Sequence, residues 1–339
     1  MQPLTIAFIG NGKSTNRYHL PYVLQLPDQF QVKTIYARHL DSPWQAIDGV
    51  HYTTDVKDIY GDANVSLVVI TTPASSHYQL AKDALNHGKN VLLEKPFTDT
   101  VEQAEELFTL AKSKNLFLQC YTNRRFDSDW LTVQAVIDSG KLGDLTELDS
   151  TFDYFRPETP TNSTYRPADS FLYGHGTHTL DQVVGRFGKP DHVRYDVRQL
   201  LGPGKMNDDF TVDLYYGNLK VCVQSSYFRI TSRPSFSVYG TRGSFIKQDT
   251  DRQEYDLKHF YLPDHEDFGL DRPEDFGVLT YMDADNQYHQ EKVPTVRGDY
   301  GRVYQGVYQT IVNGAPKVTQ DAETLLVMGL LETGVKDLH

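Results

Sequence analysis

Three short stretches of the chain carry residue types able to do chemistry. Gly10-Asn11-Gly12-Lys13-Ser14-Thr15 follows the apolar run Leu4–Ile9, Glu94-Lys95-Pro96 closes the apolar run Asn90-Val91-Leu92-Leu93, and Gly174-His175-Gly176-Thr177-His178 comes much later. A lysine at the carboxyl edge of a parallel sheet lies where open α/β folds hold their ligands. Within reach of a bound nicotinamide, such a lysine is a proton donor or acceptor. Moving a hydride from an alcohol carbon requires removal of the hydroxyl proton as the carbonyl forms. A positioned base contributes roughly 10²–10⁴-fold to such a step, or about 3–5 kcal/mol of barrier. Lys95 suits that task if its pKa falls toward neutrality, and partial burial and an oxidised nicotinamide both push it down. His178 needs less tuning, since a free imidazole titrates at about 6.5.

The glycine-rich stretch supplies the phosphate-binding half of the expectation. A dinucleotide turn wants glycine at its first position for a tight bend and at its second for close approach of the pyrophosphate. A third small residue lets the helix pack on the strand. Gly10 and Gly12 meet the first two demands, and Thr15 stands at the third, so the match is partial. A plain strand–helix turn or an S-adenosylmethionine site would have a similar shape, and the spacing is wrong for a P-loop. The second strand ends Tyr36-Ala37-Arg38-His39, without the acid that would bind the ribose 2′-hydroxyl of NAD. Arg38 instead suits a charge-assisted contact with the 2′-phosphate of NADP. NADP(H) is therefore expected ahead of NAD(H).

These stretches need a scaffold, and the first third of the chain alternates strand and helix. Leu4–Ile9, Val32–Tyr36, Leu67–Ile70 and Val91–Leu93 read as buried strands, with short candidates at residues 50–52 and 116–118. Between them lie a helix over 76–87, stopped by Gly88, and one opening at Thr100-Val101-Glu102-Gln103, which has the form of a capping box. Alternating β and α elements imply a doubly wound parallel sheet, a Rossmann-type dinucleotide domain over residues 1–122. From 123 to 339 the pattern becomes α+β with a largely antiparallel sheet. There, 127–140 reads as a helix, and Val212–Tyr216, Lys220–Gln224 and Ser235–Tyr239 as strands. Residues 216–219 form a hairpin turn, and late helices are expected from Asp299 to Asn313 and from about Asp321. The acidic stretch 249–286 reads as surface loops and edge strands. Two domains are the natural expectation for 339 residues.

Gly10-Asn11-Gly12, Thr72-Pro73 with His77, Glu94-Lys95-Pro96 and Gly176-Thr177-His178, in that order, resemble the Gfo/Idh/MocA family of NAD(P)-dependent oxidoreductases over essentially the whole chain. Asn123-Arg124-Arg125-Phe126 and residues 298–304 look like an uncharacterised bacterial branch of it. The resemblance implies a secondary alcohol or ketone of a sugar, polyol or related molecule as substrate, with Lys95 and His178 catalytic. It implies a cofactor lined by Gly10, Gly12, Arg38, Thr72, Pro73, His77 and Glu94, to which the neighbouring Lys13, Ser14, Thr15, Lys95, Pro96 and Asn123 are added. Dimer or tetramer contacts are implied through the C-terminal sheet. Many members carry aspartate four residues before the histidine, where this chain has Gly174. Tyr173 and His175 are possible substitutes at the substrate, and Tyr304 is a further candidate substrate contact. Asp181 reads as structural, Arg124 and Arg125 as braces of the domain junction. Phe152, Tyr154, Phe155 and Tyr165 are either sugar-stacking or packing aromatics.

Bulk properties narrow the classes further. The balance of 33 basic and 45 acidic residues gives −12, with no basic run, which argues against nucleic acid. No apolar stretch approaches the ~20 residues of a membrane span, and no secretory leader is visible, so a cytoplasmic protein is expected. Cys120 and Cys222 suggest no disulfide framework, and the histidines lack the companions of a metal site. Two alternatives stay open beside an oxidoreductase. One is a dinucleotide-binding regulator without turnover. The other is a lyase- or hydrolase-like reaction in which the nicotinamide is recycled. A methyltransferase is a distant further reading.

Overall fold

The computed structural model describes residues 2–158, 166–202 and 205–336; Tyr165 lies outside them. The chain forms two compact units. The first takes residues 1–123. However, 257–266 and 300–328 also belong to it, and the division is not a single cut.

In the first unit six parallel strands stand in the order β3-β2-β1-β4-β5-β6. They are β1 (Leu4–Ile9), β2 (Phe30–Tyr36), β3 (His51–Thr53), β4 (Leu67–Ile70), β5 (Asn90–Leu93) and β6 (Leu118–Cys120). All of β4 and most of β1 and β5 are buried, as strands covered on both faces must be. The connecting helices are α1 (Leu20–Val23), α2 (Lys57–Tyr60), α3 (His77–Asn86) and α4 (Val101–Ser113). At α4 the expected cap is present: Thr100 Oγ1 accepts from the Gln103 amide, while the Gln103 side chain accepts from the Asp99 amide. The reciprocal bond therefore lands one residue earlier than in a simple capping box. The sixth strand starts two residues later than its apolar run, because Leu116 N–H closes the helix end on Ala111 O.

The second unit holds an eight-stranded sheet in the order β14-β13-β12-β11-β7-β10-β9-β8. Its strands are β7 (Leu145–Thr151), β8 (His192–Arg198), β9 (Asp209–Tyr216), β10 (Leu219–Ser226), β11 (Phe236–Gly240), β12 (Gly243–Lys247), β13 (Gly277–Met282) and β14 (Tyr288–Val293). Every pairing is antiparallel except β7 with β10. The hairpin at Gly217-Asn218 joins β9 to β10, with Gly217 at φ +61 supplying the left-handed turn position. Helix α5 (Ser128–Asp138) packs on β11 and β12, and α6 (Thr177–Phe187) on β10.

The acidic stretch 249–286 departs in part from its reading as surface loops and edge strands. It contains helix α7 (Arg252–Lys258) and β13, and Asp251 and Gln253 are buried. Lys247, also buried, pairs with Asp271 at 3.1 Å. Acidity in the sequence does not separate solvated carboxylates from those satisfied inside. The last two helices are α8 (Gly301–Asn313) and α9 (Asp321–Val335). Gly314 stops α8 at φ +69, with Ala315 N–H returning to Gln309 O. No helix among the described residues is long and apolar enough to cross a membrane.

Candidate functional site

The glycine-rich turn is built as a dinucleotide turn requires. Gly10 adopts φ +124, and a Cβ there would stand 2.5 Å from Thr71 Oγ1; only glycine fits. At Gly12 nothing lies within 4 Å of where a Cβ would stand, so its backbone is open to a ligand. Thr15, the departure from the fingerprint, is buried and closes the turn itself. Its hydroxyl donates to Gly10 O at 2.8 Å and lies 2.7 Å from Thr71 Oγ1. A polar side chain thus does the joining that close helix–strand packing would otherwise do.

A cleft of about 510 Å³ opens over this turn. Gly10, Asn11, Gly12, Arg38, Thr72 and Pro73 are among its lining residues. Its position at the carboxyl ends of β1, β2 and β4 is where doubly wound sheets bind dinucleotides. An open glycine backbone, an arginine at the end of β2 and a cleft of this size fit the nucleotide half of NAD(P). His77, at the start of α3, is buried and bridges two loops of the same edge. Its Nδ1 lies 2.8 Å from Pro96 O and its Nε2 2.9 Å from Thr72 O. Lys13 is exposed on the turn, and Asn123 is buried at the start of a single 3₁₀ turn, Asn123–Phe126.

Glu94 and Lys95 follow β5 directly. Lys95 is half-buried and Glu94 buried. The Glu94 carboxylate accepts three hydrogen bonds: from the Ser14 hydroxyl, from His19 Nε2 at 3.0 Å, and from the Lys95 amide at 2.9 Å. His19 ends a five-residue π-helical turn, Thr15–His19, and is fully buried. Its Nδ1 lies 2.6 Å from the Tyr304 hydroxyl, and the Tyr121 ring packs 3.9 Å from it, centre to centre. Burial raises the Tyr304 phenol well above its usual range, and the Glu94 charge adds to that, so the phenol keeps its proton. It shares a hydrogen bond with Nδ1, while Nε2 faces the Glu94 carboxylate. Burial works to raise the Glu94 pKa, but the His19 bond and charge, then the Lys95 charge and the Ser14 bond, outweigh it and hold the group at about 2.

Tyr304, expected at a substrate, is therefore inside the first unit with its hydroxyl on His19. Sequence reasoning missed His19 altogether. The available signal was a histidine one helical turn past the glycine-rich stretch, just before Leu20-Pro21. The extra residue of the π-helical turn obscured its facing, because it breaks the 3.6-residue period.

In the second unit another π-helical turn, Leu172–Gly176, leads into α6. Tyr173 in it is fully buried. His175 is half-buried among aromatic rings, with Phe171 at 4.6 Å and Tyr154 at 4.9 Å between centres. Phe152 and Tyr154 belong to this packing, while Phe155 is 53 % exposed. His178 is half-buried on the first turn of α6. Asp181, on the next turn, is buried and receives both Nε (2.7 Å) and Nη2 (2.8 Å) of Arg125. Arg125 fits because residue 185 is glycine: a Cβ there would meet the guanidinium carbon at 2.9 Å. Arg124 pairs with Asp127 at 3.0 Å and with Glu254. At Gly174 nothing lies within 4 Å of an added Cβ, so the helix start does not demand glycine where the resemblance expects an acid.

Comparison with known proteins agrees with both units. Residues 4–122 match the GFO_IDH_MocA profile, described as an oxidoreductase family with an NAD-binding Rossmann fold, and 134–337 match its C-terminal alpha/beta domain. An uncharacterised oxidoreductase of Escherichia coli, YhhX, is 46% identical over 333 residues, 98% of this chain and 96% of that protein. The scyllo-inositol 2-dehydrogenase (NADP(+)) IolW of Bacillus subtilis is 28% identical over 98% of this chain and 93% of its own length. A crystal structure of an oxidoreductase from Bacillus cereus superposes with a TM-score of 0.91 at 41% identity, covering 98% of this chain and 96% of that one. With an NAD-binding Rossmann domain and the matching α/β domain, this chain belongs to the Gfo/Idh/MocA family of oxidoreductases.

Proposed function

We propose that this oxidoreductase moves a hydride between NADP(H) and a secondary alcohol or ketone of a sugar, polyol or related small molecule, with Lys95 and His178 as its proton-transfer groups. The observation that carries this reading is the placement of Lys95 at the carboxyl end of β5, on the same sheet edge as the glycine turn and its cleft. The cofactor, when bound, supplies or accepts the hydride. The chain's own task is the proton: in oxidation the O–H proton leaves as the C–H hydrogen departs with its electron pair, and in reduction it returns. With glycine at 174, Lys95 and His178 share that work without the acid many relatives carry.

Absorbance at the reduced-nicotinamide band, over a panel of polyols, sugars and carbonyl compounds, tests the reading. Net oxidation or reduction of cofactor is expected. Binding without turnover would overturn it in favour of a regulator, and product without net cofactor change in favour of internal recycling. Lys95→Ala should lower the rate at least roughly tenfold with cofactor affinity nearly intact; an unchanged rate removes Lys95 from the mechanism.

For NADP(H) the support is Arg38 on the cleft wall at the end of β2 and the NADP(+) in the name of the B. subtilis relative. Fluorescence titration should find tighter NADPH than NADH; the reverse order ends the preference. Self-association through the sheet of the second unit is part of the same reading. A monomer by light scattering at micromolar concentration would exclude it.

A further inference from the structure

Proton transfer at Lys95 and His178 leaves His19 and Tyr304 without a role, although both are fully buried and hydrogen-bonded in line with the residue before Lys95. The Tyr304 hydroxyl shares a hydrogen bond with His19 Nδ1, His19 Nε2 is hydrogen-bonded to Glu94 Oε1, and Glu94 Oε2 accepts the Lys95 amide. The line ends on one carboxylate at the strand end, with one oxygen on His19 and the other on the Lys95 amide. Burying a charge is costly unless donors surround it. A line of three donors and one carboxylate at a strand end is thus a device for keeping that charge in place. A leucine at 19 and a phenylalanine at 304 would fill the same core without it.

We propose that His19 and Tyr304 are positioning residues: they hold Glu94 in one orientation as a carboxylate and thereby fix a negative charge beside the Lys95 ammonium. The proposal rests on the preceding reading only in giving Lys95 a chemical role. Attraction between the two charges is mutual, so a carboxylate that is stabilised by Lys95 also stabilises the protonated amine. That works against the fall in Lys95 pKa expected from burial alone. It favours the ammonium, the form that donates a proton to a carbonyl oxygen as it takes up a hydride. In the first unit Tyr121 packs against His19, and His77 sits on the Pro96 carbonyl. Neither brings a carboxylate to the line.

The test is the pH dependence of Lys95 acylation by acetic anhydride in the cofactor-free protein, followed by mass spectrometry. Glu94→Gln should move the midpoint to lower pH by about one unit, the low end of the effect of an adjacent opposite charge. His19→Gln and Tyr304→Phe, which loosen the carboxylate without removing it, should move it the same way by less. A Glu94→Gln midpoint within roughly 0.2 units of wild type would overturn the proposal. Should that variant not fold, unchanged midpoints in both His19→Gln and Tyr304→Phe would do so. The pH profile of kcat reports separately on the catalytic reading. If acylation shifts and kcat does not follow, the fixed charge stands and the role of Lys95 in turnover falls.

Discussion

Glu94 in the first unit and Asp129 in the second are both buried carboxyl groups, and they are driven in opposite directions. Burial pushes each upward, since removing a carboxylate from water disfavours its charge. At Glu94 that push is overcome by the His19 bond and charge, the Lys95 charge and the Ser14 bond, and the group sits at about 2. At Asp129 burial is joined by the charge of Asp251. The Lys247 charge, the Trp130 amide and the Arg124 charge offset them only in part, so the group rises to about 7. The difference is in the neighbours. Glu94 is supplied with side-chain donors from another element, whereas Asp129 takes its amide bond from its own neighbour, at 2.8 Å. Its like-charged neighbour Asp251 accepts the Ser128 amide (3.1 Å) and hydroxyl (2.6 Å) and the Gln253 side-chain amide (3.0 Å). Depth alone does not tell a charge-holding site from a proton-holding one.

Breaking the donor set of Glu94 should have the largest effect. His19→Leu leaves a buried carboxylate short of a hydrogen bond and a buried phenol without its His19 partner. It should cost about 2–4 kcal/mol in urea unfolding at pH 7. Because the folded pKa lies below the unfolded one, this stability is present above about pH 4.5 and lost as pH falls toward 2. The penalty should shrink over that window; a constant penalty would detach His19 from the charge. Asp129→Asn should act with the opposite sign. An acid with a raised folded pKa loses stability as pH climbs from about 4 to about 7, because the unfolded chain releases its proton first. The amide still accepts the Trp130 N–H and never needs to ionise. A gain of about 1–3 kcal/mol at pH 8, vanishing near pH 4, is expected. A loss at pH 8 would mean that the Asp129 charge is in fact held.

How much of this was legible in the sequence follows from the same physics. The parallel sheet of the first unit was readable because strands buried on both faces are written as short apolar runs. Leu67–Ile70 and the residues of Asn90–Leu93 show this plainly. Glycine at 10 and the cap at Thr100 were readable because each serves a local backbone need. Strand β8 was missed: its residues alternate between exposed and half-buried, and His192-Val193-Arg194-Tyr195 offers no apolar run. Helix α7 was missed because Asp251, Gln253, Glu254 and Asp256 look solvated in one dimension, while Ser128, which bonds Asp251, and Arg124, which pairs with Glu254, lie over a hundred residues away. The line through His19 has the same origin. Glu94 was singled out for its neighbour Lys95, but nothing local announces the line: His19 stands 75 residues before Glu94, and Tyr304 stands 285 residues after His19.

The smallest expected effect separates charge from hydrogen bonding as the source of the contrast. Thr15 stands at the third position of the glycine turn and is as buried as His19, but its partners, Gly10 O and Thr71 Oγ1, are neutral. Thr15→Val keeps the branched shape and deletes only the hydroxyl. A neutral bond is worth about 1 kcal/mol net, and no titrating group takes part in it. The cost in urea unfolding should therefore be about 1 kcal/mol and flat from pH 3 to pH 8. His19→Leu, on the same π-helical turn, should instead show a cost that follows the carboxylate. If the two variants shared one pH profile, the profile would belong to the turn as a unit, and the contrast between Glu94 and Asp129 would lose its electrostatic basis. If only His19→Leu bends with pH, the turn has separable functions: Thr15 closes the backbone for a dinucleotide, and His19 holds the charge next to Lys95.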